Sequence, residues 1–461
     1  MDVFAEPGVM KASRAMVNVN LLGGISLSVP ITCMVEVIDG SGLPRLYVAH
    51  GSDIWESTNG VDFSLFLTNS KGQILSLAAW NGYIFYPSDA DIGRVPVGNA
   101  ASKDDDFFAA ADGVVDDNNY HPMVVQGGTL KIGNGRYVAS VDESFAFTAQ
   151  ALKLPIGYTV KTMEVFNDYL FVGANEGQAS AGISSSKATV FEWRGILPAT
   201  GSALPDAIYT LNTQGIHALV SNGTDLYAFP GNTGAAWVFT GAGFVKLLDV
   251  FPDQTALRPG ISIIEIFPNS VAPFEGSLLY SGQFNNQHGV YQIKDGRFTQ
   301  ALVPSFVTPG ELSSNVRQTA FLRSAFLDNI YLSTWKANTF PAASEYFFQS
   351  MSTNRQNNAM MRTLWHRIGT DRFKRFGGIR LNLKPMPANT AVSIAYRTGR
   401  TDSFTNAPHT VTAANQNKPV LFPVRPKGKE IQFRLTFTTS GSTTPELTSY
   451  DVLFDALNST R

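Results

Sequence analysis

An all-β fold class is predicted by three observations. A turn-and-strand phrase recurs along the chain, glycine (40) and proline (24) are scattered rather than clustered, and apolar residues alternate with period two between turn signals. The phrase joins an apolar run, a turn pair and an aromatic strand. It reads Ala79-Trp80-Asn81-Gly82-Tyr83-Ile84-Phe85-Tyr86 and again Val165-Phe166-Asn167-Asp168-Tyr169-Leu170-Phe171-Val172. Looser copies begin at Asn134-Gly135, Asn222-Gly223, Glu275-Gly276 and Asp328-Asn329, with a degenerate first copy at Gly42-Leu43-Pro44. Asn-Gly-type pairs admit the positive φ of a tight hairpin, and the strand after each has one buried face. Most gaps between copies suit a four-stranded blade, so the expectation is a β-propeller of about seven blades. Six or eight also fit the uneven gaps around Asn134.

Residues 1–40 read as an N-terminal arm or closing strand. Pro7-Gly8 breaks an early helix, while Ile25, Leu27, Val29 and Ile31 alternate as a half-buried strand. A propeller closes its ring by adding such a strand to its last blade; an arm reaching onto a neighbouring subunit is the competing reading. The propeller spans 41–344. Within it, Thr308-Pro309-Gly310-Glu311 is a helix-start signal and a second short helix is expected near Ser102. From 345 to 461 the phrase disappears. Well-formed strands such as Ile379–Leu383, Val392–Arg397, Ile431–Phe437 and Tyr450–Phe454 predict a C-terminal antiparallel β-sandwich.

A chain of 461 residues exceeds one ordinary core, which agrees with a large β domain plus a smaller one. Charged residues make up 16%, a low share that fits either surface covered by partners or buried loops. The net charge of −2 provides no global attraction to nucleic acid. A single cysteine, Cys33, excludes an internal disulfide and a thiolate-rich metal site. No basic segment precedes an apolar one at the start, and no apolar stretch reaches membrane-spanning length. The expectation is synthesis in a reducing compartment, release by lysis if at all, and no membrane insertion.

Few residues suggest chemistry. Asp104, Asp105 and Asp106, with Asp112, Asp116 and Asp117, form an acidic cluster, but without the Asp-x-Asp-x-Asp-Gly register of a calcium loop. A solvated loop, or one facing a basic partner, is the favoured reading. Arg362, Arg367, Arg372, Lys374, Arg375, Arg380 and Lys384 form a basic cluster around Trp365 and His366. It suits an acidic protein surface or nucleic acid, against the plainer reading of a solvated strand face. Ser57-Thr58-Asn59-Gly60-Val61-Asp62-Phe63 is similar to the Asp-box turn of sialidase-type propellers, one residue short and lacking its aspartate. The six histidines show no metal-ligand spacing, and Gly-x-Ser-x-Gly, P-loop and Gly-x-Gly-x-x-Gly motifs are absent. No catalytic residue, cofactor or metal is assigned, and the chain is expected not to be an enzyme.

The C-terminal wording carries a resemblance. Trp365-His366-Arg367-Ile368 leads to Phe373-Lys374-Arg375-Phe376-Gly377-Gly378-Ile379, then the turn Lys384-Pro385-Met386-Pro387 and a strand ending Tyr396-Arg397. Glu430-Ile431-Gln432-Phe433-Arg434-Leu435 follows, before Thr444-Pro445-Glu446-Leu447. This resembles the closing domain of β-propeller virion proteins of tailed bacteriophages, and Phe4-Ala5-Glu6-Pro7-Gly8 resembles the start of such tail proteins. The resemblance implies a structural tail component (nozzle, tail-tip or fibre-attachment protein) in the virion, made in the host cytoplasm. It implies other tail proteins as partners and a homo-oligomeric ring, with DNA in the tail lumen as a further contact. It transfers no functional residue. The alternative is a propeller that binds or cleaves a host glycan.

Overall fold

The computed structural model describes residues 14–19, 27–88, 91–108, 121–176, 187–198, 200–230, 235–248, 268–274, 277–284, 287–294, 297–303, 316–324, 327, 329–336, 345–355, 359–363, 365–366, 374–415, 420–424 and 426–456. They form two compact units. The larger comprises Asn18–Phe298 and Val307–Ser350; the smaller comprises Met1–Val17, Thr299–Phe306 and Met351–Arg461.

The larger unit is all-β and propeller-like. Antiparallel sheets spanning 31–68, 78–108, 123–153, 158–214 and 216–248 each hold four strands in sequence order. Within this unit, strands between 271 and 294 and between 316 and 350 continue the antiparallel pattern. Ile31–Ile38, within the span read as an arm, is the first strand of the first sheet. First strands lie beside one another in turn: Ile31–Ile38, Ala78–Trp80, Met123–Gln126, Tyr158–Phe166, Ile216–Ser221, Val271–Phe274 and Val316–Ser324. The last of these returns to Ile31–Ile38, closing a ring.

The N-terminal strand Arg14–Asn18 pairs in parallel with Arg297–Val303 through Arg14↔Leu302 and Ala15↔Val303. At its end the Val19 amide donates to the Phe348 carbonyl at 2.8 Å, and Gln349 Nε2 donates to Asn18 Oδ1 at 2.8 Å.

Apolar residues fill the layers between consecutive sheets, because the strands are buried on both faces. Tyr47 and Ala49 pack toward Ile84, Tyr86 and Val95 of the second sheet. Their neighbours Leu46 and Val48 pack the other way, onto Ala320, Tyr331 and Phe348. Leu130, Ile132 and Val141 likewise meet the second sheet, while Val138 and Leu152 meet the fourth. The side-chain period of two distributes one strand's residues between two cores.

The turn pairs behave as their chemistry requires. Asn81 and Gly82 take φ of 49° and 78°, and Asn167 and Asp168 take 50° and 65°, the left-handed pair of a two-residue hairpin. The helix expected near Ser102 is instead a single 3₁₀ turn, Ala100–Ser102, followed by the strand Asp104–Phe108. Phe108 packs on Phe147 with ring centroids 4.1 Å apart, and Arg94 covers Phe107 at 3.5 Å, so tertiary packing overrides the low strand propensity of aspartate. Ile25, the Thr308–Glu311 signal and the turn residues Glu275, Gly276 and Asp328 lie outside the described residues.

In the smaller unit Ala359–Arg362, Gln432–Thr438, Ala391–Arg397 and Thr405–Thr412 form one antiparallel sheet in that order. Lys374–Leu383 pairs antiparallel with Val420–Pro423, Lys427–Gly428 and Leu447–Ala456 in another. One apolar cluster draws Phe376, Ile379 and Leu381 from the second and Ile394, Phe433 and Leu435 from the first. The two sheets therefore share a core.

Candidate partner-binding site

Alternation along Gln432–Thr438 sends Phe433, Leu435 and Phe437 into the core and leaves Gln432, Arg434 and Thr436 on the opposite face. Register sets Arg434 opposite Arg362 on one side and Ala395 on the other, with Gln432 opposite Arg397. Three arginines from three strands therefore share one face. Phe404 gathers them: the guanidinium carbons of Arg434, Arg397 and Arg362 lie 4.7, 4.8 and 5.6 Å from its ring centroid. Trp365 takes Arg397 at 5.1 Å and Arg400 at 5.7 Å.

Like charges directly opposite on a sheet repel. Ring contacts offset part of this, at ~0.5–1 kcal/mol each where exposed. Acidic neighbours offset little: among the described residues the ion pair at this face joins Arg400 Nε to Glu430 Oε1 at 3.0 Å. Arg397 instead donates through Nε and Nη2 to the neutral Gln432 Oε1 at 2.9 and 2.7 Å. Arg434 Nε is buried without a hydrogen-bond partner. Burial, then the charges of Arg397 and Arg434, hold Arg362 below the usual arginine range. Such a face suits a partner's carboxylates or phosphates, which guanidinium groups grip with two parallel hydrogen bonds.

Removing one charge tests the strain. Arg434→Met is expected to raise the unfolding free energy of the isolated chain by ~1 kcal/mol at low salt. Denaturant melts at two ionic strengths read the gain, which should shrink as salt screens the repulsion.

Of the basic residues singled out in the sequence, Arg362 belongs to this face. Arg375 is exposed on the other sheet, opposite Lys427 and Asp455. Arg367 and Arg372 lie outside the described residues, and Lys374 is described in its backbone alone. His366 exchanges main-chain hydrogen bonds with Ile431 and sets its ring edge-on to Tyr450, and burial pushes its pKa down. Arg397, Arg434 and Phe404 were not singled out, although Arg434 between Phe433 and Leu435 marks it as the outward residue of its strand.

The acidic cluster is engaged within the chain. Asp105 accepts from Tyr86 Oη, Ser70 Oγ and Lys103 Nζ at 2.8, 2.8 and 2.7 Å. Burial alone would raise its pKa, yet these hydrogen bonds outweigh it and hold the carboxyl below the usual range. Asp106 pairs with Lys71 at 3.1 Å, and Asp104 sits in register with Arg94. Asp112, Asp116 and Asp117 lie outside the described residues. Among the described residues no three His, Cys, Asp or Glu side chains converge as metal ligands.

The Asp-box-like segment is a turn. Asn59 Oδ1 accepts from the Val61 and Asp62 amides at 2.9 Å each, and Ser57 Oγ accepts from the Gly60 amide at 2.9 Å.

Inside the strand ring lies a cavity of about 500 Å³ whose polar lining includes Ser76, Thr162, Glu164, Ser221, Asn269 and Arg323. Burial pushes the Glu164 carboxyl up to about 8, against a hydrogen bond from the Ser221 main chain that pulls it down. Arg323 stacks on Phe274 at 4.8 Å.

No known protein family matches the sequence, and no curated protein is recognisably related to it. Solved structures are similar to it only at low identity, with TM-scores under 0.5. The extracellular domain of a putative one-component system from B. thetaiotaomicron is 12% identical with a TM-score of 0.45, over 80% of this chain and 43% of that one. The β-propeller domain of the Trilobed protease from Pyrococcus furiosus is 11% identical with a TM-score of 0.40, over 71% of this chain and 97% of that one. An exo-beta-1,3-galactanase from Phanerochaete chrysosporium is 10% identical with a TM-score of 0.32, over 96% of this chain and all of that one. The chain thus spans less than half the length of the first of these.

Proposed function

We propose that the chain is a non-enzymatic structural component of a bacteriophage tail, a seven-bladed propeller followed by a C-terminal β-sandwich, built to dock against other virion proteins. The observation that carries the docking role is the arginine face. Arg362, Arg397 and Arg434 converge on one aromatic ring without a carboxylate among the described residues, an arrangement that isolated folding disfavours and an acidic partner relieves. Exposed apolar side chains support it: Ile156, Ile196 and Leu204 are 86%, 68% and 71% exposed. The tail assignment rests on the C-terminal wording quoted above.

In this reading the chain resides in the virion, after synthesis in the host cytoplasm, as a ring of copies beside other tail proteins. A propeller offers a rigid disk with variable loops on two faces, and a ring of such disks needs no cofactor. Mass spectrometry of purified particles is the test. Peptides of this chain at a fixed ratio to other tail proteins support the proposal; particles that lack the chain overturn it.

A further inference from the structure

The third sheet buries an amine. Lys131, in the strand Thr129–Asn134, stands in a cross-strand row with Ser140 and Thr148 on the face toward the fourth sheet. Its side chain is buried, Nζ donates to Ser140 Oγ at 2.9 Å, and the amine sits 4.9 Å from the centroid of the Trp193 ring. Among the described residues it has no carboxylate partner. Burying an ammonium with one hydroxyl and one ring as company is costly, and desolvation pulls its pKa down to about 8.

Lys131 and Ser140 line a cleft of about 400 Å³ whose outer part carries Arg194, Asp142 and Asp168. Arg194 rests against the Tyr169 ring at 5.8 Å; its main-chain amide donates to Asp206 Oδ2 at 2.8 Å, while its guanidinium forms no ion pair among the described residues. Asp142 caps the Ser144 and Ala146 amides through Oδ1, which leaves Oδ2 available, and Asp168 uses its main-chain carbonyl, not its carboxylate, to accept from Gln126 Nε2. Gln126 Oε1 is buried with no partner in the same lining. Hence, among the described residues, two cations whose side chains form no ion pair and two carboxylates with an oxygen left over surround one cleft. The cations ask for an anionic acceptor, and the free carboxylate oxygens ask for hydroxyl donors.

We propose that this cleft binds a small carboxylate bearing several hydroxyl groups, the chemistry of an acidic sugar. Its carboxylate meets Lys131 and Arg194, and its hydroxyl groups donate to Asp142 and Asp168. The site is independent of the tail assignment: it stands or falls on this cleft, whatever particle the chain belongs to.

Calorimetry on the full chain with D-glucuronate as probe, and D-glucose as the uncharged control, tests it. The expected result is saturable binding of glucuronate at millimolar concentrations and none of glucose. Near pH 8 and above binding should take up protons, since the bound anion favours the charged amine of Lys131; the other ionisable groups of the lining are Asp142, Asp168 and Arg194. Lys131→Met should weaken binding about tenfold or more while leaving the circular dichroism spectrum unchanged. Because Lys131 is buried, exposed Arg194→Gln is the second variant, and it should weaken binding without touching the core. Absence of saturable binding, equal binding of glucose, or full affinity in both variants overturns the proposal.

Discussion

Gly60→Val is expected to destabilise the larger unit by ~3 kcal/mol or more, through overpacking added to backbone strain. Gly60 holds φ at 74°, and a Cβ there would come within 2.2 Å of the Tyr331 hydroxyl and 2.7 Å of Leu327 Cδ1. The contact joins the first sheet to the strand Asn329–Lys336, for Tyr331 Oη donates to the Gly60 carbonyl at 2.9 Å from a fully buried ring. Neither side yields easily. Phe63 and Phe348 pack edge-on to each other with centroids 5.1 Å apart, and Phe63 also meets Tyr331. Tyr331→Phe keeps the packing and loses the hydrogen bond, so its cost should be near ~1 kcal/mol. Denaturant melts of the two variants separate steric closure from hydrogen bonding; a Gly60→Val chain as stable as Tyr331→Phe would mean that the turn and the tyrosine do not meet as described.

Glu164→Gln is expected to stabilise the protein, and increasingly so as pH rises. The sign follows from the folded carboxyl being pushed up to about 8 from an ordinary value of 4.5. Between those values the folded chain binds the proton more tightly than the unfolded chain, so the contribution of Glu164 is fully present below about 4.5 and is lost as pH climbs through about 8. Glutamine imitates the protonated acid without titrating and keeps an oxygen for the Ser221 main chain. Discounted for solvent screening, the gain at pH 9 should be on the order of 1–3 kcal/mol, vanishing near pH 4. Thermal melts of both proteins from pH 4 to 9 read it directly. Parallel curves across that range would show that Glu164 titrates normally.

The fold was legible where chemistry is local. Asn81-Gly82 and Asn167-Asp168 announce their hairpins because few residue pairs tolerate two positive φ values, and the structure has both. Period-two alternation predicted a strand at Ile431–Phe437, and the structure has one at Gln432–Thr438. Ser102 misled, since the burial of Phe108 that makes Asp104–Phe108 a strand depends on the third sheet, which no local window contains. The arginine face was legible by one residue, Arg362. Its companions lie 35 and 72 positions further along the chain at Arg397 and Arg434, and only strand register sets them side by side. The acidic cluster read as free because its partners, Ser70, Tyr86 and Lys71, come from loops and strands that sequence spacing does not join.

The docking role is tested most directly by incorporation into particles. On the proposed tail role, a phage genome carrying Arg362→Glu and Arg434→Glu in this chain should yield a folded protein, soluble in the lysate with an unchanged circular dichroism spectrum, that is missing from purified tails. Wild-type chain supplied in trans should restore it. Tails that contain the double variant at the wild-type ratio would contradict the account, because the face it assigns to the partner would then carry no part of the assembly.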